Sequence, residues 1–242
     1  MIALIDADGL LFRTCSACST DILWSDGLIT PFSVRSYMVS ELETIIAKVL
    51  RDTEASQAVF YFSGPVQRTW RKTMVTPTYK GNRTGSRPVG WDHAIDWLAY
   101  AGHRVVQLDI FEADDLVGAA YGYENEEALR QVVRVSEDKD LLTVPGVHHN
   151  PRKGTTVHVS EEEANYNWLF QTLVGDSTDG YKGCPAIGAK KAPPIARGGW
   201  SAVVDAYVGA GLSEAEAIEN AQLARILRPG DIENRRPRIW TP

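Results

Sequence analysis

Cysteine is scarce in this 242-residue chain, with Cys15, Cys18 and Cys184 its whole complement. Three thiols exclude a disulfide scaffold, and an odd count fits a reducing environment. Cys15-Ser16-Ala17-Cys18 has C-x-x-C spacing, but no second Cys or His pair completes a zinc site. The spacing therefore favours small residues packed behind the first strand over a redox or metal role. The five histidines show no H-x-x-x-H pattern, which further excludes zinc. No apolar run approaches the roughly 20 residues a membrane span needs. The start, Met1 to Asp6, lacks the basic lead and long apolar core of a signal peptide. These absences predict a soluble, cytoplasmic protein with no membrane association. Repeats and low-complexity segments are also missing. With 44% hydrophobic and 23% charged residues, the composition excludes a disordered chain.

The most informative absence is of acid from two stretches. Residues 64–91 contain none, but carry Arg68, Arg71, Lys72, Lys80, Arg83 and Arg87. Residues 180–204 again contain none, with Lys182, Lys190, Lys191 and Arg197 present. The formal charge of −6, averaged over the chain, argues against a polyanionic partner, since phosphate binding is driven by Lys and Arg. The distribution argues the other way. Ten of the 31 acids fall in tight clusters (Asp6, Asp8, Glu112, Asp114, Asp115, Glu137, Asp138, Asp140, Asp176, Asp179), and without them the −6 becomes +4.

Ile2–Ile5 reads as a buried parallel strand, and Ala58–Phe62, Arg104–Leu108 and Val132–Ser136 read as three more. Helical spacing covers Phe32–Leu50, Trp91–Ala101 (capped by Gly102) and Glu112–Tyr123. Alternation of strand and helix predicts an α/β unit with a mostly parallel sheet. Beyond Val159 no strand is expected. Helices over Glu161–Val174 and Ser213–Leu227 flank a Gly- and Pro-containing stretch, and the tail from Arg228 to Pro242 reads as extended.

Open parallel sheets bind ligands beyond the C-terminal ends of their strands, and the acids fall there. Asp6 and Asp8 end the first strand; Glu112, Asp114 and Asp115 follow the third; Glu137, Asp138 and Asp140 follow the fourth. Asp176 and Asp179 open the helical part. One such cluster has an ordinary explanation, since acids cap helix N-termini. Three converging on one sheet edge would repel unless a cation were present. Hard oxygen ligands suit Mg²⁺ or Mn²⁺, and a two-ion site suits phosphodiester hydrolysis.

In order, the chain carries Leu4-Ile5-Asp6 with Arg13, Tyr79-Lys80-Gly81-Asn82-Arg83, Glu112-Ala113-Asp114-Asp115 and Asp138-Lys139-Asp140-Leu141. It closes with Gly175-Asp176-Ser177-Thr178-Asp179 and Gly183-Cys184-Pro185-Ala186-Ile187-Gly188-Ala189-Lys190. This series resembles the 5′-3′ exonuclease/flap endonuclease family in its short bacteriophage form, related to the 5′ nuclease domain of bacterial DNA polymerase I. The resemblance covers residue 2 to about 228.

The resemblance implies a PIN-like nuclease core over 1–160, with a mostly parallel sheet and an arch segment at 64–91. A C-terminal helical subdomain with a helix-three-turn-helix would occupy 161–242. It implies two-metal-ion hydrolysis of DNA near 5′ ends, flaps or nicks in phage replication or repair, by a monomer in the host cytoplasm. Asp6, Glu112, Asp114, Asp115, Asp138, Asp140, Asp176 and Asp179 would surround two Mg²⁺ (or Mn²⁺) ions. Lys80 and Arg83, with Asp6 and Asp138, would be catalytic. Tyr79 would stack on a base, and Arg71 would add to the DNA grip. Gly183 and Gly188 would frame a turn whose amides hold a duplex phosphate beside Lys190 and Lys191, with K⁺ in the turn.

Four departures from the family pattern stand out. The second strand ends Tyr61-Phe62-Ser63-Gly64 where the family carries an aspartate, and Asp8 is the candidate to compensate. Gly180 replaces the usual asparagine. Ala186 replaces a turn glycine, where positive φ is costly. Pro193-Pro194 falls where the next helix should run, predicting one that is short, kinked or absent. Two rival readings remain: a non-catalytic junction-DNA-binding relative, and a haloacid-dehalogenase-type phosphatase using Asp6-Ala7-Asp8-Gly9.

Overall fold

The apolar run at the N-terminus becomes β1 (Ile2–Asp6), and α1 (Ala7–Ala17) follows it without a loop. A hairpin of β2 (Ser19–Leu23) and β3 (Ile29–Ser33) precedes α2 (Arg35–Asp52). The expected helix from Phe32 therefore begins later. Asp26-Gly27 supplies the hairpin turn, with Gly27 at φ 84° and the Asp26 carboxylate accepting from the Leu28 amide. Next come β4 (Gln57–Ser63), α3 (Trp91–Tyr100), β5 (Arg104–Leu108), α4 (Ala113–Gly118), the short α5 (Glu126–Leu129) and β6 (Val132–Val135). Between β4 and α3 the acid-free stretch forms a 3₁₀ turn at Val66–Arg68 and a π turn at Arg71–Val75. The computed structural model describes residues 1–82 and 85–242.

β1 pairs in parallel with β4 on one side and β6 on the other. With β7 (Gly146–Asn150) and β8 (Thr155–Val159) the sheet order is β5-β4-β1-β6-β7-β8, only β8 running antiparallel. Chain order reverses at β1, so the crevice beyond its C-terminal end lies at the switch point of the sheet. Alternate residues of β1 face opposite sides. Ala3 and Ile5 pack with α1, α2 and α3, while Leu4 packs with Phe111, Leu116 and Val117 around α4.

α4 is shorter than the expected Glu112–Tyr123. Its turns are broken by Ala120 and Gly122 at φ 50° and 89°, and Gly118 lies where a Cβ would meet the Leu227 carbonyl oxygen at 2.5 Å. β7 and β8 escape the sequence pattern because buried His148 and His149 interrupt an apolar alternation.

The C-terminal helices are α6 (Glu161–Val174), α7 (Ala192–Arg197), α8 (Gly199–Gly209) and α9 (Glu214–Ala224). Ser160 with Glu163 and Ser213 with Glu216 form capping boxes at the starts of α6 and α9. α7 is short, and Pro193-Pro194 fall in its first turn, where a missing N–H costs nothing. A core of Trp168, Leu173, Val203, Tyr207 and Ala221 joins these helices. α9 ends before the expected Leu227, freeing residues 225–227 to leave the helix. Contrary to expectation, two more short strands follow, β9 (Ile232–Glu233) and β10 (Arg236–Pro237), turned by Asn234 and Arg235 at φ 51° and 58°. No helix among the described residues is long and apolar enough to cross a membrane.

Candidate active site

A cleft of about 1090 Å³ opens at the switch point, lined by Asp6, Asp8, Glu112, Asp114 and Asp138 together with Lys72, Lys80 and Arg87. Asp6 ends β1, and its carboxyl pKa is pushed up to about 7, by burial first and then by Asp8, while the Ser136 hydroxyl donates to it at 2.9 Å. Asp8 rises from the first turn of α1 and accepts from the Ser63 amide at the end of β4, at 3.2 Å. It thereby brings a carboxylate to the strand end that lacks the family's aspartate. Burial pushes its pKa up as well, against the Ser63 contacts and the nearby Arg87. Arg87 lies over the Trp91 ring at 4.9 Å.

Glu112, Asp114 and Asp115 start α4 with carboxylate oxygens within 4.8 Å of one another. They are not equivalent. Asp114 lines the cleft, and burial followed by repulsion from Asp115 and Glu112 raises its pKa far above normal. Asp115 is fully buried, and both its oxygens are spent inside the protein. Oδ2 accepts from Trp70 Nε1 and Arg71 Nη1, each at 2.7 Å; Oδ1 accepts from Arg71 Nη2 at 2.8 Å and the Leu227 amide at 3.2 Å. Asp115 is an anchor in this arrangement, while its carboxylate stays within the Glu112–Asp114–Asp115 group that could hold an ion. Burial alone would raise Glu112, but Lys80 and Arg71, helped by hydrogen bonds from Lys80 and Tyr79, hold it down to about 2.

Lys80 donates to Glu112 Oε1 and stands 3.6 Å from Asp179 Oδ2. Its backbone is left-handed, at φ 51°, pinned by its amide to the Asp179 carbonyl. Such local strain is held at functional positions when surrounding contacts determine it. Asp138 caps the 3₁₀ turn Lys139–Thr143 by accepting from the Asp140 amide at 2.9 Å. Asp140 is pushed up to about 6, by burial first and then by Asp138, and its buried Oδ1 receives no hydrogen bond from the described residues. Asp140, Asp176 and Asp179 are half-buried beside this lining, close enough together for Asp176 and Asp179 to raise the Asp140 pKa. Asp176 Oδ1 accepts from the amides of Thr178 and Asp179.

Two residues expected to contact DNA are enclosed in this structure. Tyr79 is 2% exposed; its ring packs among the C-terminal helices, and its hydroxyl donates toward Glu112 and Asp179 at 2.9 and 3.0 Å. That leaves no ring face for a base. Arg71 is 1% exposed and bonded throughout to protein. Arg83 lies outside the described residues. At the 183–188 turn, the amides of Gly183, Cys184 and Ile187 are already given to Asn220 Oδ1, Leu173 O and Cys184 O. The expected amide cradle is therefore reduced there. Ala186 has the costly positive φ, 59°, and its carbonyl accepts from Lys191 Nζ at 3.2 Å. Lys190 and Lys191 are exposed. Ser63, Ser136, Trp70, Lys72 and Arg87 are site residues that sequence reasoning did not select. The acid-free basic stretch carried a signal for Lys72 and Arg87, and the strand end lacking an aspartate one for Ser63; nothing in the sequence marked Ser136 or Trp70.

The family model described as the 5′-3′ exonuclease, N-terminal resolvase-like domain, matches residues 1–167. The exodeoxyribonuclease of Enterobacteria phage T3 is 26% identical over 291 aligned residues, covering 100% of this chain and 93% of that one. The exonuclease of Escherichia phage T7 is 26% identical over 275, covering 94% and 88%. Among solved structures, the bacteriophage T5 flap endonuclease in a pseudo-enzyme-product complex with DNA and metal ions shares the fold. Its TM-score is 0.64 at 17% identity, covering 92% of this chain and 88% of that one. The α/β, PIN-like architecture expected from the sequence is the one observed. From its matched N-terminal domain, its phage relatives and its fold, the chain belongs to the 5′-3′ exonuclease family and is a nuclease.

Proposed function

We propose that this chain is a divalent-metal-dependent, structure-specific 5′ nuclease. It hydrolyses DNA phosphodiesters near 5′ ends, flaps or nicks, leaving 5′-phosphate and 3′-hydroxyl ends. The observation that carries this reading is the meeting of Asp6, Asp8, Glu112, Asp114 and Asp138 with Lys80 in one cleft. The donor set fits a hard cation. It is all carboxylate oxygen, and burial with mutual repulsion raises Asp6, Asp8 and Asp114, a penalty that a dication relieves. Asp6, Asp8, Asp114 and Asp138 would hold Mg²⁺ or Mn²⁺, with Glu112, Asp115, Asp140, Asp176 and Asp179 completing the acidic surround. When bound, such ions lower the pKa of water and stabilise developing negative charge on phosphate oxygens.

The chain's own residues supply the rest. Lys80, at the cleft wall, orients a scissile phosphate and offsets its charge. Lys72 and Arg87 extend the positive lining along the path of a single strand. In this reading residues 1–160 form the nuclease unit with 64–91 as its arch, and residues 161–242 grip duplex through Lys190 and Lys191. K⁺ would sit in the 183–188 turn. The enzyme would act as a monomer in the cytoplasm of a phage-infected host, in DNA replication or repair. The test uses 5′-labelled flap and nicked duplexes. Short labelled products that require Mg²⁺ or Mn²⁺ are expected, and DNA left intact in every metal condition overturns the reading.

A further inference from the structure

We propose that Arg71 is a positioning residue for this site, holding Glu112 and the Tyr79–Lys80 pair at the cleft without meeting substrate. The inference rests on the nuclease reading above. Arginine carries five N–H donors in one plane, and here each one is used. Nη1 reaches Glu112 Oε2 and Asp115 Oδ2, both at 2.7 Å; Nη2 reaches Asp115 Oδ1 at 2.8 Å and Arg225 O at 2.7 Å; Nε reaches Leu223 O at 3.1 Å. The guanidinium also lies 4.5 Å from the Trp70 ring centroid and 5.8 Å from that of Tyr79.

This one group joins three separate parts of the chain: the start of α4, the 70–80 segment and the residues leaving α9. Its link to Glu112 is the one with consequences for chemistry. Glu112 Oε2 is held by Arg71 and the Tyr79 hydroxyl, and Oε1 faces Lys80. Letting Glu112 move would release the partner that sets the Lys80 ammonium. A misplacement of about 1 Å at a reacting group can cost on the order of 10²-fold in rate. Lysine cannot substitute, because a single ammonium does not reproduce the planar fork.

The experiment compares wild type, Arg71→Lys, Arg71→Ala, Tyr79→Phe and Val49→Ala, each assayed with Mg²⁺ at the same interval below its own Tm on 5′-labelled flap DNA. Val49, buried on the opposite face of the sheet, reports a plain loss of stability. Arg71→Lys is expected to lose about 10²-fold in kcat with KM for DNA little changed. Low-millimolar guanidinium should restore part of the Arg71→Ala rate and leave Val49→Ala unmoved. Calorimetric titration with Mn²⁺ should show weaker binding to Arg71→Lys than to Val49→Ala. If the Arg71 variants do not fold, Tyr79→Phe still removes one of the two bonds on Glu112 Oε2, and its kcat should fall with KM held. The inference is overturned if the folded variants match Val49→Ala in kcat and in Mn²⁺ affinity. Wild type that fails to cut would instead overturn the nuclease reading, leaving the Mn²⁺ titration to judge Arg71.

Discussion

Asp114 and Asp115 are neighbours in sequence, yet opposite outcomes are expected when each is changed to asparagine. Asp115→Asn keeps the shape but removes the charge facing buried Arg71, and it turns an amide NH₂ toward donors. Four hydrogen bonds converge on that carboxylate, from Trp70, from both Nη atoms of Arg71 and from the Leu227 amide. Breaking one partner of a buried ion pair costs about 3–5 kcal/mol. Against a total stability of roughly 5–15 kcal/mol, that is a large share. At roughly 2–4 °C per kcal/mol for a chain of this size, Tm should fall by about 6–20 °C. Asp114→Asn removes a charge that burial and two acidic neighbours already disfavour. Its metal-free stability should hold or rise, while metal-dependent cutting is lost. Calorimetric unfolding of the chelated proteins, paired with flap cleavage, measures both. The reasoning fails if Asp115→Asn unfolds within about 1 kcal/mol of wild type, or if Asp114→Asn is the variant that loses stability.

Lys80→Ala should lower kcat on flap DNA by about 10²–10³-fold, the usual loss for one fixed charge-stabilising donor, and single-turnover cleavage reads it directly. Buried His148 donates through Nε2 to the Val144 carbonyl, and burial lowers its pKa to about 4 from 6.5. The unfolded chain takes up this proton first, so the histidine's contribution is complete above pH 6.5 and is lost as pH falls toward 4. The difference in urea midpoint between pH 7.5 and 5 should therefore be smaller in His148→Gln, and an unchanged difference refutes the assignment. Ala186→Gly relieves a positive φ of 59° and should stabilise by about 1 kcal/mol in thermal unfolding.

The parallel strands were legible because β1, β4 and β6 are short apolar runs ending at polar residues, the mark of a sheet buried on both faces. The hairpin of β2 and β3 was hidden because its side chains alternate weakly and Leu23, Ile29 and Phe32 stay exposed. At the site, strand-end position placed Asp6, Glu112, Asp114 and Asp138 at one cleft. Position along the chain could not separate Asp114 from Asp115. That distinction comes from Trp70, Arg71 and Leu227, which reach α4 from 45, 44 and 112 residues away. Arg71 looked like a surface cation for the same reason. Nothing local reveals that a basic residue in a charged stretch turns inward.

Asp8 changes how relatives of this chain should be sought. A search scoring the residue at the end of β4 finds Ser63 and counts an acid as lost. In space the acid is present, delivered from α1 and laid against the Ser63 amide. Once a carboxylate can be supplied from either of two chain positions, a column in an alignment and a point in the cleft are different objects. Only the second is what a metal ion meets. A chain that lacks the strand-end aspartate is therefore not degenerate on that ground alone, because an acid two residues beyond the one that closes β1 can be laid against the end of β4.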